Sequence, residues 1–230
     1  MQEIVKTYML NDLDTMIPMG RDDFYKEQIE CFKREWKPNR AVEVINIIMF
    51  DENKQLIIQK RSQHKKHNPW LLDKSVWGHV QSKNTVPFTV QIETIEELEI
   101  PSIILDPIDH NIQDELSFLR KFINSVALIT PIDVRFINTK KIIHWKEVII
   151  ANKVNLFLGL YGWKIKNSDQ EASGVIFYGY DELIKDMAQY PWLFTHEMID
   201  YMQHYKKEIT KFLWMLDEVN FHHINNLTNP

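Results

Sequence analysis

The segment from Trp77 to Ile100 runs from a glycine-containing loop straight into an acidic helix. Gly78 is the only glycine in the long stretch between Gly20 and Gly159. A glycine is favoured where the backbone turns tightly or approaches a ligand closely, because it has no Cβ. This arrangement predicts a tight loop at Gly78, whose backbone turns sharply or approaches a ligand closely.

The helix after this loop has clear predicted limits. Thr85 is a suitable N-cap, Pro87 is tolerated in a first helical turn, and Pro101 ends the helix. Its apolar residues recur at helical spacing and predict a buried face formed by Phe88, Ile92, Ile95 and Leu98.

Three carboxylates share another face of this helix. Glu93, Glu96 and Glu97 are spaced at i, i+3 and i+4, which brings their side chains together. Such carboxylates repel one another unless a cation lies between them, and Mg²⁺ prefers oxygen ligands of this kind. The alternative is a solvated acidic face without a ligand, and the Gly78 loop favours the metal site.

These residues resemble the Nudix hydrolases, whose motif is G-x5-E-x7-R-E-U-x-E-E-x-G-U, with U a bulky apolar residue. Gly78 matches the first glycine, and the spacing to the three glutamates and Ile100 is kept without a gap. Asn84 stands in place of the first glutamate, Ile92 in place of the arginine and Glu99 in place of the last glycine. In the family the arginine orients the catalytic glutamate, so the resemblance implies retained metal ligands and slow turnover.

The region before Gly78 is similar to the branch of the family that includes isopentenyl-diphosphate isomerase. The run from Arg61 to Trp70, followed by 75–79, carries the pattern R-S-x-x-K-x-x-x-P and S-x-x-G-H. The resemblance implies that Arg61 and Lys65 hold a diphosphate, which suits guanidinium and ammonium groups. Solvated basic side chains at the end of a hairpin are the alternative.

The isomerase activity itself is disfavoured at two positions. The isomerase needs a cysteine just before the Gly-His pair, where this chain has Trp77. It also needs a histidine where Asn39 precedes Arg40-Ala41. The three glutamates kept in the helix favour hydrolysis of a diphosphate instead.

Composition sets limits on partners and compartment. A chain of 230 residues with 44% hydrophobic content can bury one substantial core. Its 27 basic and 32 acidic residues give a net charge of −5, which predicts no binding to bulk nucleic acid. A single cysteine, Cys31, is typical of a reducing, cytoplasmic compartment. We find no signal peptide and no apolar run long enough to span a membrane.

The resemblance, which covers about residues 40–205, implies an α/β protein with a Nudix-like α/β/α sandwich and a mixed central sheet. An N-terminal strand and helix occupy 1–39, the Nudix-like domain occupies 40–205, and the end of the last helix and a tail occupy 206–230. A segment at about 102–152 is an insertion that could build a lid, a specificity wall or a contact in a homodimer. Thr195 is predicted to cap the final helix, at about 196–218.

The resemblance implies the following sites. The catalytic set is Glu93, Glu96, Glu97 and the loop residue Glu171; the metal-binding set is Glu93, Glu96, Glu97 and Trp77; and the substrate-binding set is Arg61, Lys65, Gly78 and His79.

The first hypothesis is a Mg²⁺- or Mn²⁺-dependent hydrolase of a small-molecule diphosphate, such as a nucleoside diphosphate derivative. A catalytically impaired module that binds a nucleotide or a protein is the alternative, and the isomerase ranks below both.

Overall fold

The computed structural model describes residues 2–108, 112–143, 146–162 and 172–227, with side chains described except at positions 172 and 218–227. The strands are β1 (Ile4–Met9), β2 (Asp12–Gly20), β3 (Arg40–Phe50), β4 (Gln55–Arg61), β5 (Leu72–Asp73), β6 (Val76–His79), β7 (Ser102–Ile104), β8 (Ala127–Ile143), β9 (Lys146–Leu160) and β10 (Ala172–Gly179). The α-helices are α1 (Arg21–Glu35), α2 (Val86–Leu98), α3 (Gln113–Leu119), α4 (Tyr180–Gln189), α5 (His196–His204) and α6 (Lys206–Leu227). None of the helices in these ranges is both long and apolar enough to cross a bilayer.

One mixed sheet contains all ten strands of the described residues, with β10-β4-β3-β9-β8-β7 along its main path. β3 lies in the middle of the sheet, antiparallel to β4 and parallel to β9. Its sequence is an almost continuous apolar run, as expected of a strand that is covered on both faces.

Alternate residues of β3 point into two separate cores, because successive side chains of a strand leave opposite faces of the sheet. Val44 and Ile48 belong to the larger core, which α1, α5 and α6 cover. Ile45 and Ile47 belong to the smaller core, which α2 covers. The predicted layers are confirmed: the acidic helix lies on one side of the sheet and the C-terminal helices on the other.

Three strands pair one after another along the same edge of β3, and this pairing fixes the position of the N-terminal strand β1. β1 pairs with β3 next to Val42, β6 pairs with residues 44–47, and β4 pairs with Met49 and Phe50. β1 also bonds to the segment after β6: the N–H of Lys6 donates to the Val80 carbonyl at 2.9 Å, and the N–H of Ser82 donates to the Ile4 carbonyl at 2.8 Å. The N-terminal strand is therefore joined to the loop that follows Gly78.

A long hairpin dominates the predicted insertion at 102–152. β8 and β9 pair from Leu128 opposite Leu160 out to Ile143 opposite Lys146. The sequence predicts short strands at 134–137 and 148–150, and both segments are parts of this hairpin. The domain boundaries themselves stay a prediction.

Three local predictions were wrong. The final helix consists of two helices, α5 and α6, which meet at Tyr205. The apolar spacing of Leu116, Leu119, Phe122 and Ile123 predicts one helix over about 112–125. The structure instead has the shorter α3, followed by a 3-10 turn at Arg120–Phe122. β2 was not predicted, because Pro18 and a largely exposed side-chain pattern give it no strand signal.

Candidate functional site

Helix α2 begins and ends as its sequence predicts. The hydroxyl of Thr85 accepts a hydrogen bond from the N–H of Phe88 at 3.3 Å, which caps the first turn. At the other end Glu99 adopts a left-handed conformation with φ of 58°, and its N–H donates to the Ile95 carbonyl. The N–H of Ile100 bonds to Thr94, so the last carbonyls of the helix are satisfied.

The predicted buried face of α2 is only partly correct. Phe88 and Ile95 are 46% and 48% exposed. Leu98 is buried as predicted, and the other side chains that α2 buries are Thr89, Val90, Thr94 and Glu97. The helix is rotated relative to its apolar stripe because it turns carboxylates, rather than Phe88, toward the end of β6.

Glu93 lies directly against Gly78. A Cβ atom built at Gly78 would overlap the carboxyl group of Glu93. The predicted loop at Gly78 is wrong, because Gly78 lies within β6 and pairs with Ile45. A glycine is needed at this position because a carboxylate from α2, rather than a ligand, occupies the space of a side chain.

Glu97 is buried and held by the sheet. Its Oε2 accepts a hydrogen bond from Gln59 Nε2 at 3.1 Å and one from the N–H of Trp77 at 3.3 Å. An indole has no lone pair to offer a metal, so Trp77 could serve as a ligand only through its backbone carbonyl. Glu96 is exposed at the rim of the same site.

These residues form an acidic cavity of about 490 Å³. We use the name acidic cavity for the space lined by Glu3, Arg21, Trp77, Gly78, His79, Gln81, Glu93, Glu96 and Glu97. Burial, and then the charges of Glu97, Glu96 and Glu3, raise the pKa of Glu93 to about 9, against the opposing charge of Lys65. At neutral pH this carboxyl group holds a proton unless a cation takes the proton's place.

The donor set of the acidic cavity fits a hard divalent cation. Carboxylate oxygens are the ligands that Mg²⁺ and Mn²⁺ prefer, and burial together with the charges of Glu97 and Glu96 raises the pKa of Glu93, which a bound cation would lower again. Among the described residues, however, no three His, Cys, Asp or Glu side chains already converge as a metal site. Binding an ion would therefore require the glutamate side chains, above all the exposed Glu96, to turn inward.

A larger basic cavity of about 580 Å³ adjoins the acidic one. Its wall contains six basic and two acidic side chains: Arg21, Lys26, Lys33, Arg61, Lys65 and Lys66, against Asp22 and Glu30. The remaining wall residues are Tyr25, Ile29, His64, His67, Trp77, His79 and Ile143. Arg21, Trp77 and His79 line both cavities, so the two are neighbours that share a wall. We use the name groove for the two cavities together, which have opposite charge at their two ends.

His79 lies at the boundary as a neutral side chain. Burial, together with the nearby charges of Lys141 and Arg21, holds the pKa of His79 well below its ordinary value. Its Nε2 shares a hydrogen bond of 3.1 Å with the hydroxyl of Tyr25. A neutral imidazole can orient a phosphate oxygen by one hydrogen bond, but it supplies no charge.

Arg61 makes contacts within the protein that the sequence did not suggest. Its Nη1 contacts Asp73 Oδ2 at 3.0 Å, and its Nε and Nη2 donate to the His67 carbonyl at 3.2 and 3.0 Å. Although burial opposes it, Lys74 and Arg61 hold the pKa of Asp73 well below its ordinary range. Arg61 thus lines the basic cavity as part of a buried ion-pair network.

That network continues beneath Trp77. Lys74 Nζ lies 2.5 Å from Glu197 Oε2, and Lys141 Nζ lies 3.6 Å from Glu197 Oε1. Thr195, the confirmed cap of α5, donates from its hydroxyl to Asp73 at 2.8 Å. The network ties β5, β8 and α5 together behind the groove.

The structure thus brings together most of the predicted site residues. The three α2 glutamates, Trp77, Gly78 and His79 line the acidic cavity, and Arg61 and Lys65 line the basic one. Glu171 lies outside the described residues. Sequence reasoning missed Glu3, Arg21 and Tyr25, for which no local motif gives a signal, because strand pairing alone brings them to Gly78.

Comparison with known proteins supports the fold. No protein-family model matches the sequence, and no curated protein matches it. Among solved structures the chain is similar to DR0079 from Deinococcus radiodurans, with 16% identity, a TM-score of 0.59, and coverage of 88% of this chain and 98% of that one.

Two further solved structures align less closely. The MutT protein from Methanosarcina mazei Go1 has 14% identity and a TM-score of 0.46, with 73% of this chain and 94% of that chain covered. A hydrolase of the NUDIX family from Clostridium perfringens has 11% identity and a TM-score of 0.43, with 78% and 98% covered. The likeness to DR0079 shows the fold alone, and the chain therefore has the mixed α/β fold, with a curled sheet between helices, that its sequence predicted.

Proposed function

We propose that the chain hydrolyses a diphosphate linkage in a nucleoside diphosphate derivative, with Mg²⁺ or Mn²⁺ as its cofactor. The observation that carries this proposal is the adjacency of the two cavities of the groove: the acidic one holds Glu93 with a pKa raised to about 9, and the basic one has six basic side chains in its wall. A diphosphate has negative charge that suits the basic end and requires a cation at the acidic end.

The groove has the size of a small-molecule site. Volumes of about 490 and 580 Å³ each fall in the range usual for ligand pockets, roughly 300 to 1,000 Å³. Trp77 and Tyr25 offer aromatic surface on its wall. These features support a nucleotide-sized substrate, and they do not select one nucleotide.

The chain's own residues would divide the work as follows. Glu93, Glu96 and Glu97 would hold the cation, which neutralises charge that develops on the phosphate oxygens. One of these glutamates would accept a proton from the attacking water while the oxygen of that water forms a bond to phosphorus. The bond from that phosphorus to the bridging oxygen breaks, and the leaving phosphate takes the electron pair. Lys65 and His79 would orient the phosphates at the basic end.

The test is a screen for metal-dependent turnover. Purified protein with Mg²⁺ or Mn²⁺ is assayed against nucleoside triphosphates, nucleotide sugars, dinucleoside polyphosphates, NAD(H), coenzyme A and capped RNA. We expect slow release of phosphate or nucleoside monophosphate, since misplaced catalytic groups cost orders of magnitude in rate without abolishing binding.

Glu96→Gln is the sharpest variant for this screen. Glu96 is exposed, whereas Glu97 also accepts hydrogen bonds from Gln59 and Trp77, so a change at Glu97 would disturb the sheet as well. Glu96→Gln should abolish turnover and most of the rise in melting temperature that Mn²⁺ causes. Glu99→Gln, an exposed position at the end of the same helix, is the matched control and should change neither.

The alternative is a module that binds a nucleotide without hydrolysing it. This alternative is favoured by Ile92, a half-buried isoleucine at the position where the Nudix motif has an arginine. Tight, metal-dependent nucleotide binding without turnover across the whole panel would support this alternative. Turnover that persists in Glu96→Gln would point to a contaminating enzyme.

A further inference from the structure

We infer that Arg21, from the N-terminal extension, is a substrate-contact residue that binds a phosphate at the boundary of the two cavities, and that Glu3 positions it. This inference rests on the proposed function, because it assigns one phosphate of the same diphosphate to Arg21. The resemblance that identified the α2 glutamates assigns nothing to either residue.

Backbone pairing fixes Arg21 and Glu3 next to Gly78. Glu3 immediately precedes β1, which bonds to the segment after Gly78 through Lys6 and Ser82. The N–H of Arg21 donates to the Glu3 carbonyl at 2.8 Å, so the first residue of α1 is bonded to the start of the chain. Neither residue depends on a long flexible loop for its position.

The side chains repeat this connection. Arg21 Nη1 lies 2.6 Å from Glu3 Oε2, and the two side chains are 43% and 25% exposed. Glu3 is the single side-chain partner of Arg21 among the described residues. A guanidinium has five N–H donors, so most of them remain available toward the groove.

The position of Arg21 is specific to the boundary. It lines both cavities, while Lys26 and Lys33 of the same helix line only the basic one. Its charge acts on side chains of both cavities. After burial and the charges of Lys141 and Arg61, it contributes to the low pKa of His67 in the basic cavity, and it partly offsets the effect of burial on the pKa of Glu3 in the acidic cavity. A phosphate bound beside the glutamates would therefore lie next to the Arg21 guanidinium.

Arg21 also has the chemistry that the basic end otherwise lacks. Arg61, the other guanidinium of the groove, is bonded to Asp73 and to the His67 carbonyl. Lysine binds phosphate as a point charge, whereas arginine can donate two parallel hydrogen bonds to it. Arg21 is thus the guanidinium of the described groove that is placed to grip a phosphate by two hydrogen bonds.

The experiment measures binding separately from turnover. Imidodiphosphate, a diphosphate analogue without the bridging oxygen, is titrated calorimetrically into the protein with Mn²⁺ present. Arg21→Ala should weaken its binding roughly 10- to 100-fold, as expected for loss of charge-assisted hydrogen bonds. Arg21→Lys keeps the positive charge but cannot donate two parallel hydrogen bonds, so it should weaken binding by a smaller factor.

Arg34→Ala is the matched control, because Arg34 lies on the same helix in an exposed pair with Glu35 and lines neither cavity. It should bind imidodiphosphate like the wild type. If Glu3 acts by positioning Arg21, Glu3→Gln should weaken binding less than Arg21→Ala. The double variant should then lose no more than Arg21→Ala alone.

The outcomes separate this inference from the proposed function. Wild-type binding of imidodiphosphate that Arg21→Ala leaves unchanged overturns the inference, whatever the turnover screen gives. A wild-type protein that does not bind the analogue overturns it as well. Binding that depends on Arg21, in a protein with no turnover on any substrate, supports the inference and contradicts the hydrolase.

Discussion

The carboxyl group of Glu93 occupies the space that a Cβ would take at Gly78. Gly78→Ala should therefore displace the carboxylate from the acidic cavity. Because the obstructing atoms are the end of a flexible side chain, the fold should survive, with a melting temperature within a few degrees of the wild type. We expect loss of the Mn²⁺-induced stabilisation and of turnover, measured by thermal shift and phosphate release.

Gly174→Ala is the control for this substitution, because a Cβ there meets nothing within 4 Å. It should leave both measurements unchanged. Full Mn²⁺ stabilisation in Gly78→Ala would mean that Glu93 has no part in holding the ion.

The raised pKa of Glu93 predicts how stability depends on pH when no metal is present. Its folded-state pKa of about 9 lies above the ordinary value of 4.5, so the native protein holds a proton that the unfolded chain releases. Stability should fall as pH rises from 4.5 toward 9. Glu93→Gln removes this dependence and should stabilise the metal-free protein at pH 8 by up to about 5 kcal/mol, because each of the 3.5 pH units between 4.5 and 8 contributes about 1.4 kcal/mol.

Urea unfolding at pH 6 and pH 8 with a chelator measures this effect. The exposed control Glu99→Gln should keep the wild-type dependence on pH. Saturating Mn²⁺ should reverse the order at pH 8, making the wild type more stable than Glu93→Gln. Equal pH dependence of stability in the wild type and in Glu93→Gln would contradict the raised pKa of Glu93.

What the sequence predicted well is what local chemistry determines. The Thr85 cap and the stop before Pro101 depend on residues a few positions apart, and both are confirmed. The buried face of α2 was partly wrong because apolar spacing cannot show that the helix turns Glu97 toward Gln59 and the backbone of Trp77.

Arg21 and Glu3 could not be predicted for a different reason. Their place in the groove depends on β1, which pairs with β3 and with the segment 80–82. Such pairing joins residues far apart in sequence, and no periodicity or motif encodes it. The N-terminal extension consequently looked separate from the site, although its strand and helix form one wall.

Arg61 gives the third prediction, because its partners indicate a structural role. Its ion pair with Asp73 is largely buried, with side chains 12% and 6% exposed. Removing one partner of a buried pair leaves the other charge uncompensated, so Arg61→Ala should destabilise the protein by about 2 to 4 kcal/mol. Arg34→Ala breaks an exposed pair and should leave the stability almost unchanged.

Urea unfolding with both variants measures the difference. A reduced turnover in Arg61→Ala would then report lost structure as well as any lost phosphate contact. If Arg61→Ala keeps wild-type stability and only its KM rises, Arg61 has the diphosphate-binding role that the resemblance implied.

Ile92 gives the last prediction, which bears on whether the groove is a slow enzyme or a binding site. It is half-buried and directly precedes Glu93, at the position where the related motif carries an arginine. An arginine there could hydrogen-bond the Glu93 carboxylate and favour its charged form, since a nearby cation lowers a carboxyl pKa. Ile92→Arg should therefore raise kcat about 10-fold while KM changes little.

Ile95→Arg is the matched control, because Ile95 lies on the same helix, is 48% exposed and lines neither cavity. It adds the same charge to α2 away from Glu93 and should leave kcat unchanged. An equal gain in both variants would mean that net charge alone attracts the substrate. A folded Ile92→Arg protein with no gain would mean that another group already orients Glu93, or that the groove binds its ligand without hydrolysing it.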